Sequence, residues 1–156
     1  MGRSSQMDAR PFADLRRFIA LPHVQRSLLL KVIPIVAVVR VALWTLSFAT
    51  ARQLLQRRAI AAIVHRRIAE TQAAELAWAV RAASRCIPAA TCLTQSLALQ
   101  FLLTQTGRPC ALRIGIAKLP ARPLTAHAWV DYAGEVLLDQ PADVRAYAVL
   151  ASLEMS

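Results

Sequence analysis

The apolar positions along the chain change rhythm several times, and each change predicts a different kind of element. From Leu28 to Ala49 they run almost without interruption: Val32-Ile33-Pro34-Ile35-Val36-Ala37-Val38-Val39, then Arg40, then Val41-Ala42-Leu43-Trp44-Thr45-Leu46. This predicts a mostly buried helix crossing a small core, although the β-branched residues would also suit a strand. A membrane span needs about 20 largely uninterrupted apolar residues. Here Lys31 and Arg40 confine the first run to eight residues, and a charge in mid-span is costly. A helix lying on a membrane surface is the second reading. No turn signal follows Pro34 until well past Thr50, so one element is expected.

Ahead of this run, residues 1–10 are expected to fray, residues 11–19 can form a short helix with Pro11 in its first turn, and Pro22 restarts the chain. Beyond it, Leu54, Leu55, Ile60, Val64, Ile68, Ala73, Leu76, Ala77 and Val80 recur mostly at steps of three and four. Arg52, Arg57, Arg58, Arg66, Arg67, Glu70 and Glu75 occupy the intervening face. That is an amphipathic helical pattern, broken once near residues 69–72, with an arginine stripe that is a solvated face or a docking surface.

Pro88 breaks the helical run, and Thr91 can cap a new helix with Cys92 in its first turn. Leu93, Leu97, Phe101 and Leu102 give that helix a buried side, and Gly107 with Pro109 ends it. Cys110–Ala117 alternates like a half-buried strand, and residues 118–124 form a proline-containing loop. Thr125–Tyr132 and Glu135–Asp139 read as a hairpin around Ala133-Gly134. Residues 141–156 suit a last strand or a short helix equally. The expected fold is therefore α+β, with a helix bearing Cys92 packed on a small antiparallel sheet. Residues 1–80 are expected to form a helical scaffold or docking region for the domain at residues 81–156.

Composition sharpens this picture. With 156 residues, 56% of them hydrophobic and only four glycines, most of the chain has enough apolar side chain to offset its ordering entropy. The three cysteines, Cys86, Cys92 and Cys110, are an odd number, and the three histidines are scattered. Neither a disulfide framework nor a zinc site is expected, and no metal or cofactor. The first 20 residues are polar, with Asp8, Arg10, Asp14, Arg16 and Arg17, and contain no signal-peptide core. A cytoplasmic location is expected, with contact at the membrane periphery left open by the apolar run.

The formal charge of +10 lies wholly in residues 1–85, with fourteen Lys/Arg against four Asp/Glu; residues 86–156 carry five of each. An acidic partner follows: nucleic acid, a membrane surface, or an acidic protein or peptide. The arginines are not interleaved with aromatics, and no zinc finger or RNP-like run is present, so nucleic acid is not expected.

The chemistry centres on Cys92. At a helix start, unpaired N–H groups and the helix dipole favour the thiolate. The Cys92 backbone N–H can also hold an oxyanion on an attacked carbonyl, with Gln95 a weaker second donor. A cysteine among alanines and leucines can equally be a small buried hydrophobe. In the first hairpin strand His127, Trp129 and Asp131 share one face and Ala128 and Val130 the other. An antiparallel return can bring Asp139 beside His127. The order nucleophile, base, orienting carboxylate, at spacings of 35 and 12 residues, fits a helix followed by a meander. Gly115 permits close approach of backbone or substrate. Trp129 is a cleft wall or a clamp on the His127 strand. Cys86 and Cys110 lack the helix-start context and are read as structural.

The runs Thr91-Cys92-Leu93-Thr94-Gln95-Ser96-Leu97-Ala98-Leu99, Gly107-Arg108-Pro109-Cys110-Ala111-Leu112-Arg113-Ile114-Gly115-Ile116 and Ala126-His127-Ala128-Trp129-Val130, with Asp139, together resemble the leader-peptide peptidases of lasso-peptide biosynthesis. These are similar to the carboxy-terminal domain of the microcin-processing peptidase and belong among the transglutaminase-like, papain-related cysteine proteases. The resemblance covers about residues 80–140 and, more loosely, the segment around Leu43–Phe48. It implies Cys92 as nucleophile, His127 as general base and acid, and Asp139 as orienting carboxylate. It also implies a precursor peptide as substrate, a small leader-recognition protein as partner, and an ATP-dependent macrolactam cyclase acting next. The stand-alone form of the peptidase is expected. Where the family commonly has Glu two residues after the tryptophan, this chain has Asp131. Two other classes compete: a non-catalytic peptide-binding scaffold of a biosynthetic complex, and an acyltransferase on the same fold.

Overall fold

The computed structural model describes residues 21–57, 68, 71–117, 124–139 and 141–155. The short helix expected over residues 11–19, the arginine-rich stretch 58–67 and most of the loop 118–124 lie outside the described residues.

The first helix, α1, spans His23–Thr45 and starts from Pro22, whose carbonyl accepts from the Arg26 N–H at 3.0 Å. Helical packing decides against the strand reading. Val32, Val36 and Val39, spaced by four and three, are all fully buried, as one face of a helix requires. Pro34 sits inside the helix on its exposed side. The expectation of one element past Thr50 is corrected: Leu46 is extended and α2 begins at Phe48, running to Leu55. The Ser47 hydroxyl caps it, accepting from the Thr50 N–H at 3.2 Å. A serine N-cap is a legible signal, but here apolar residues continue on both sides of it and hide the break.

Helix α3 spans Ala73–Ser84, and the Glu75 carboxylate closes its start by accepting from the Gln72 N–H at 3.0 Å. It stops at Ser84, four residues before Pro88. The chain then winds through Ala89, a non-glycine residue at φ +56°, to Thr91. Helix α4, Cys92–Gln105, begins where the Thr91 hydroxyl accepts from the Thr94 N–H. The one-sided burial expected for it is corrected. Every residue from Ser96 to Leu103 is buried, and Leu93 only half so. This happens because α1 and α3 pack against α4 on one side and the sheet on the other. Its buried polar groups are tied to the sheet: Ser96 Oγ donates to the Ala128 carbonyl at 2.9 Å, and Gln100 Nε2 to that of Leu153 at 2.5 Å. Gly107, at φ +72°, ends the helix in the left-handed conformation that favours glycine.

The sheet comprises β1 (Ala111–Ala117), β2 (Thr125–Tyr132), β3 (Glu135–Leu137) and, after a short helix α5 (Pro141–Val144), β4 (Ala148–Glu154). The order is β3-β2-β1-β4 with antiparallel neighbours throughout. The carboxy-terminal segment thus provides both a short helix and a strand. The β2–β3 hairpin turns at Ala133 and Gly134, both at positive φ, the geometry that matches strand twist in a two-residue loop. One correction bears on the site: β3 ends at Leu137, so Asp139 lies beyond the strand expected to carry it. The buried core is continuous from Val32 and Val36 of α1 through Leu76 and Val80 of α3 and Phe101 of α4 to Val130 of β2. The amino-terminal helices and the sheet therefore share one α+β core.

Candidate active site

Two elements build the site. The Thr91 cap fixes the start of α4, so the half-buried Cys92 occupies the first helical position, where backbone N–H groups have no partner within the helix. One turn on, Ser96 grips the Ala128 carbonyl. That bond ties the helix start to β2 one residue from His127.

Beyond Leu137 the chain passes through Leu138 at φ +77°, a conformation costing a branched residue of the order of 1 kcal/mol or more. Past this break Asp139 Oδ2 meets His127 Nε2 at 3.2 Å, both side chains about three-quarters buried. With Nε2–H donating to the carboxylate, Nδ1 is the nitrogen left for proton exchange. The Leu138 carbonyl is held by the Arg81 guanidinium of α3, so a helix from the first half of the chain anchors the turn that presents Asp139.

Cys92, Gln95, Ser96, His127, Ala128, Leu138 and Asp139 line one cleft of about 160 Å³. The expected nucleophile, base and carboxylate are thus brought together, with Gln95 beside them. A larger cavity of about 390 Å³, between the starts of α1 and α3, is lined by His23, Lys31, Glu75 and Trp78 among others, and contains no cysteine.

Gly115 and Trp129 are not among the residues lining the Cys92 cleft, and of the alternatives open for each, their contacts favour the close backbone approach for Gly115 and the clamp on the His127 strand for Trp129. Trp129 is only 3% exposed and stacks on His127, ring centroids 6.2 Å apart. Gly115 makes room for that indole: a Cβ here would lie 2.9 Å from the Trp129 ring and 3.0 Å from the Ala148 carbonyl oxygen. Tyr147, unassigned from sequence, packs 5.2 Å from the His127 ring and 6.3 Å from Trp129. Arg81, Ser96 and Tyr147 were not marked as site residues by any local motif; only the fold brings them to His127 and Asp139. Asp131 pairs with Arg113 across β1 and β2 at 3.0 Å. The other cysteines differ from Cys92. Cys86 is exposed on the turn after α3. Cys110 is buried, and burial pushes its thiol up from 9.0 to about 11, a partial offset coming from the Thr104 hydroxyl.

A cysteine opens a central helix and shares one cleft with a histidine on an antiparallel sheet and an aspartate just past its edge strand, in an α+β fold; these are the groups that thiol chemistry requires. The family model for the transglutaminase-like superfamily matches residues 35–152. The chain belongs to that superfamily, whose members are generally cysteine-dependent enzymes. No curated protein and no solved structure matches it.

Proposed function

We propose that this protein is a cysteine endopeptidase that removes the leader from a ribosomally made lasso-peptide precursor, working with a small leader-recognition protein. The carrying observation is the single cleft shared by Cys92, at the start of α4, and the His127–Asp139 pair. In this reading the Cys92 thiol gives its proton to His127 Nδ1, and the sulfur attacks the carbonyl joining leader to core. The developing oxyanion is held by the Cys92 N–H, with Gln95 the nearby side-chain donor. His127 returns the proton to the core amine, which leaves, and the leader stays on sulfur as a thioester. Water, deprotonated by His127, then attacks the thioester; the leader departs as a carboxylic acid and the thiol is restored. Asp139 fixes the imidazole tautomer and stabilises its charged form. An ATP-dependent macrolactam cyclase would act next, on the freed core amine.

Support comes from the superfamily membership, the cleft and the sequence resemblance around Cys92 and His127. The test is mass spectrometry of a precursor incubated with this chain and the recognition protein. Hydrolysis gives a free core and a leader heavier by one water. Capture of the thioester by an added amine would give a leader–amine adduct instead and mark an acyltransferase. An intact precursor, together with a Cys92 thiol inert to iodoacetamide at neutral pH, would return the protein to the scaffold class.

A further inference from the structure

The outer face of α1 presents an apolar stripe that the fold does not cover. Leu30 is 64% exposed, Val38 and Val41 54% each and Trp44 78%, while the opposite face carries the fully buried Val32, Val36 and Val39. At 1.5 Å and 100° per residue, Leu30, Pro34, Val38, Val41 and Trp44 lie along one side of the helix for about 21 Å. A helix already packed on its inner face would ordinarily turn polar residues outward. Beside the stripe, Val38, Val41, Leu46 of the connection and Leu54 of α2 line an open groove of about 360 Å³. Among the described residues its one hydroxyl, on Thr45, donates to the Val41 carbonyl within the helix at 2.9 Å.

We infer that this face docks in the plane of an anionic lipid surface. A protein interface carries roughly one hydrogen bond per 100–200 Å², and the described residues of this groove offer almost nothing to make one; acyl chains require none. Arg40 stands roughly a quarter turn to one side of the stripe, where a long stem carries charge toward headgroups while apolar residues insert. Trp44, near one end, suits the boundary between acyl chains and headgroups. A net charge of +10, all of it in the half containing α1, complements the potential of an anionic leaflet and opposes pairing with a second copy of the chain.

The experiment is co-sedimentation of the full chain with vesicles of phosphatidylcholine alone or mixed with phosphatidylglycerol. Binding to the mixed vesicles only is expected, reversed by raising salt, with a blue shift in tryptophan emission that is lost in Trp44→Phe. Val41→Asp, and independently Leu30→Asp, should weaken the partition at least about tenfold while circular dichroism stays unchanged. Failure of the wild type to bind the mixed vesicles overturns the inference. So does undiminished binding by both aspartate variants. A dimer in analytical ultracentrifugation that Val41→Asp dissociates, without vesicle binding, would assign the stripe to a second copy instead.

Discussion

At the scale of single residues, the three cysteines are separated by their surroundings. Iodoacetamide at neutral pH, followed by peptide mapping, should modify Cys92 and the exposed Cys86 and spare the buried Cys110. Modification of Cys110 in the folded protein would contradict its burial. The Cys110 thiol has a raised folded value, about 11 against 9.0. The folded state therefore keeps a proton that the unfolded chain releases between those values. The resulting stabilisation is present below about pH 9 and is lost as pH rises to about 11. Denaturant unfolding of the wild type should weaken more steeply across that interval than that of Cys110→Ala; equal slopes would refute the assignment. Arg81 acts at a distance, through the Leu138 carbonyl that precedes Asp139. If it is a positioning residue, Arg81→Ala should lower kcat several-fold with little change in KM, and Arg81→Lys should restore part of it. A change in KM alone would point to a substrate contact instead.

At the scale of elements, the link between α4 and β2 is the feature that aligns the site. Ser96 is fully buried and its hydroxyl serves the Ala128 carbonyl. Ser96→Ala leaves that acceptor without its partner and should cost about 1–3 kcal/mol, read as a lower denaturation midpoint. Gly115→Ala puts a methyl 2.9 Å from the Trp129 ring. Because that ring stacks on His127, turnover should fall together with about 1–3 kcal/mol of stability. Unchanged activity would mean that Trp129 does not set the histidine's position. Much of this level is legible in local chemistry: Thr91 before Cys92, Gly107 after α4, Ala133-Gly134 between alternating runs. What is not legible has a common cause. Periodicity reports one buried face, so it could not show that α4 is enclosed by helices on one side and the sheet on the other. Helix α1 ends at Thr45 within a nearly continuous apolar run, with Ser47 capping the next helix, and Asp139 falls past β3 because the positive φ at Leu138 breaks a pattern that reads as strand.

At the scale of the molecule, the α+β class and the meeting of Cys92 with His127 and Asp139 could be anticipated from order and spacing. The contacts that hold the site came only with the fold. Arg81 and Leu138 are 57 residues apart in sequence, and Tyr147 reaches His127 from the connection between α5 and β4; no local motif encodes such pairs. The proposed chemistry requires Cys92 as the nucleophile. The most direct measurement is the rate of leader release, by mass spectrometry, from precursor and recognition protein with wild-type chain and with Cys92→Ala at matched folded concentration. Release by the wild type and a loss of at least about a thousandfold in the variant are expected; release at the wild-type rate by Cys92→Ala would rule Cys92 out as the nucleophile.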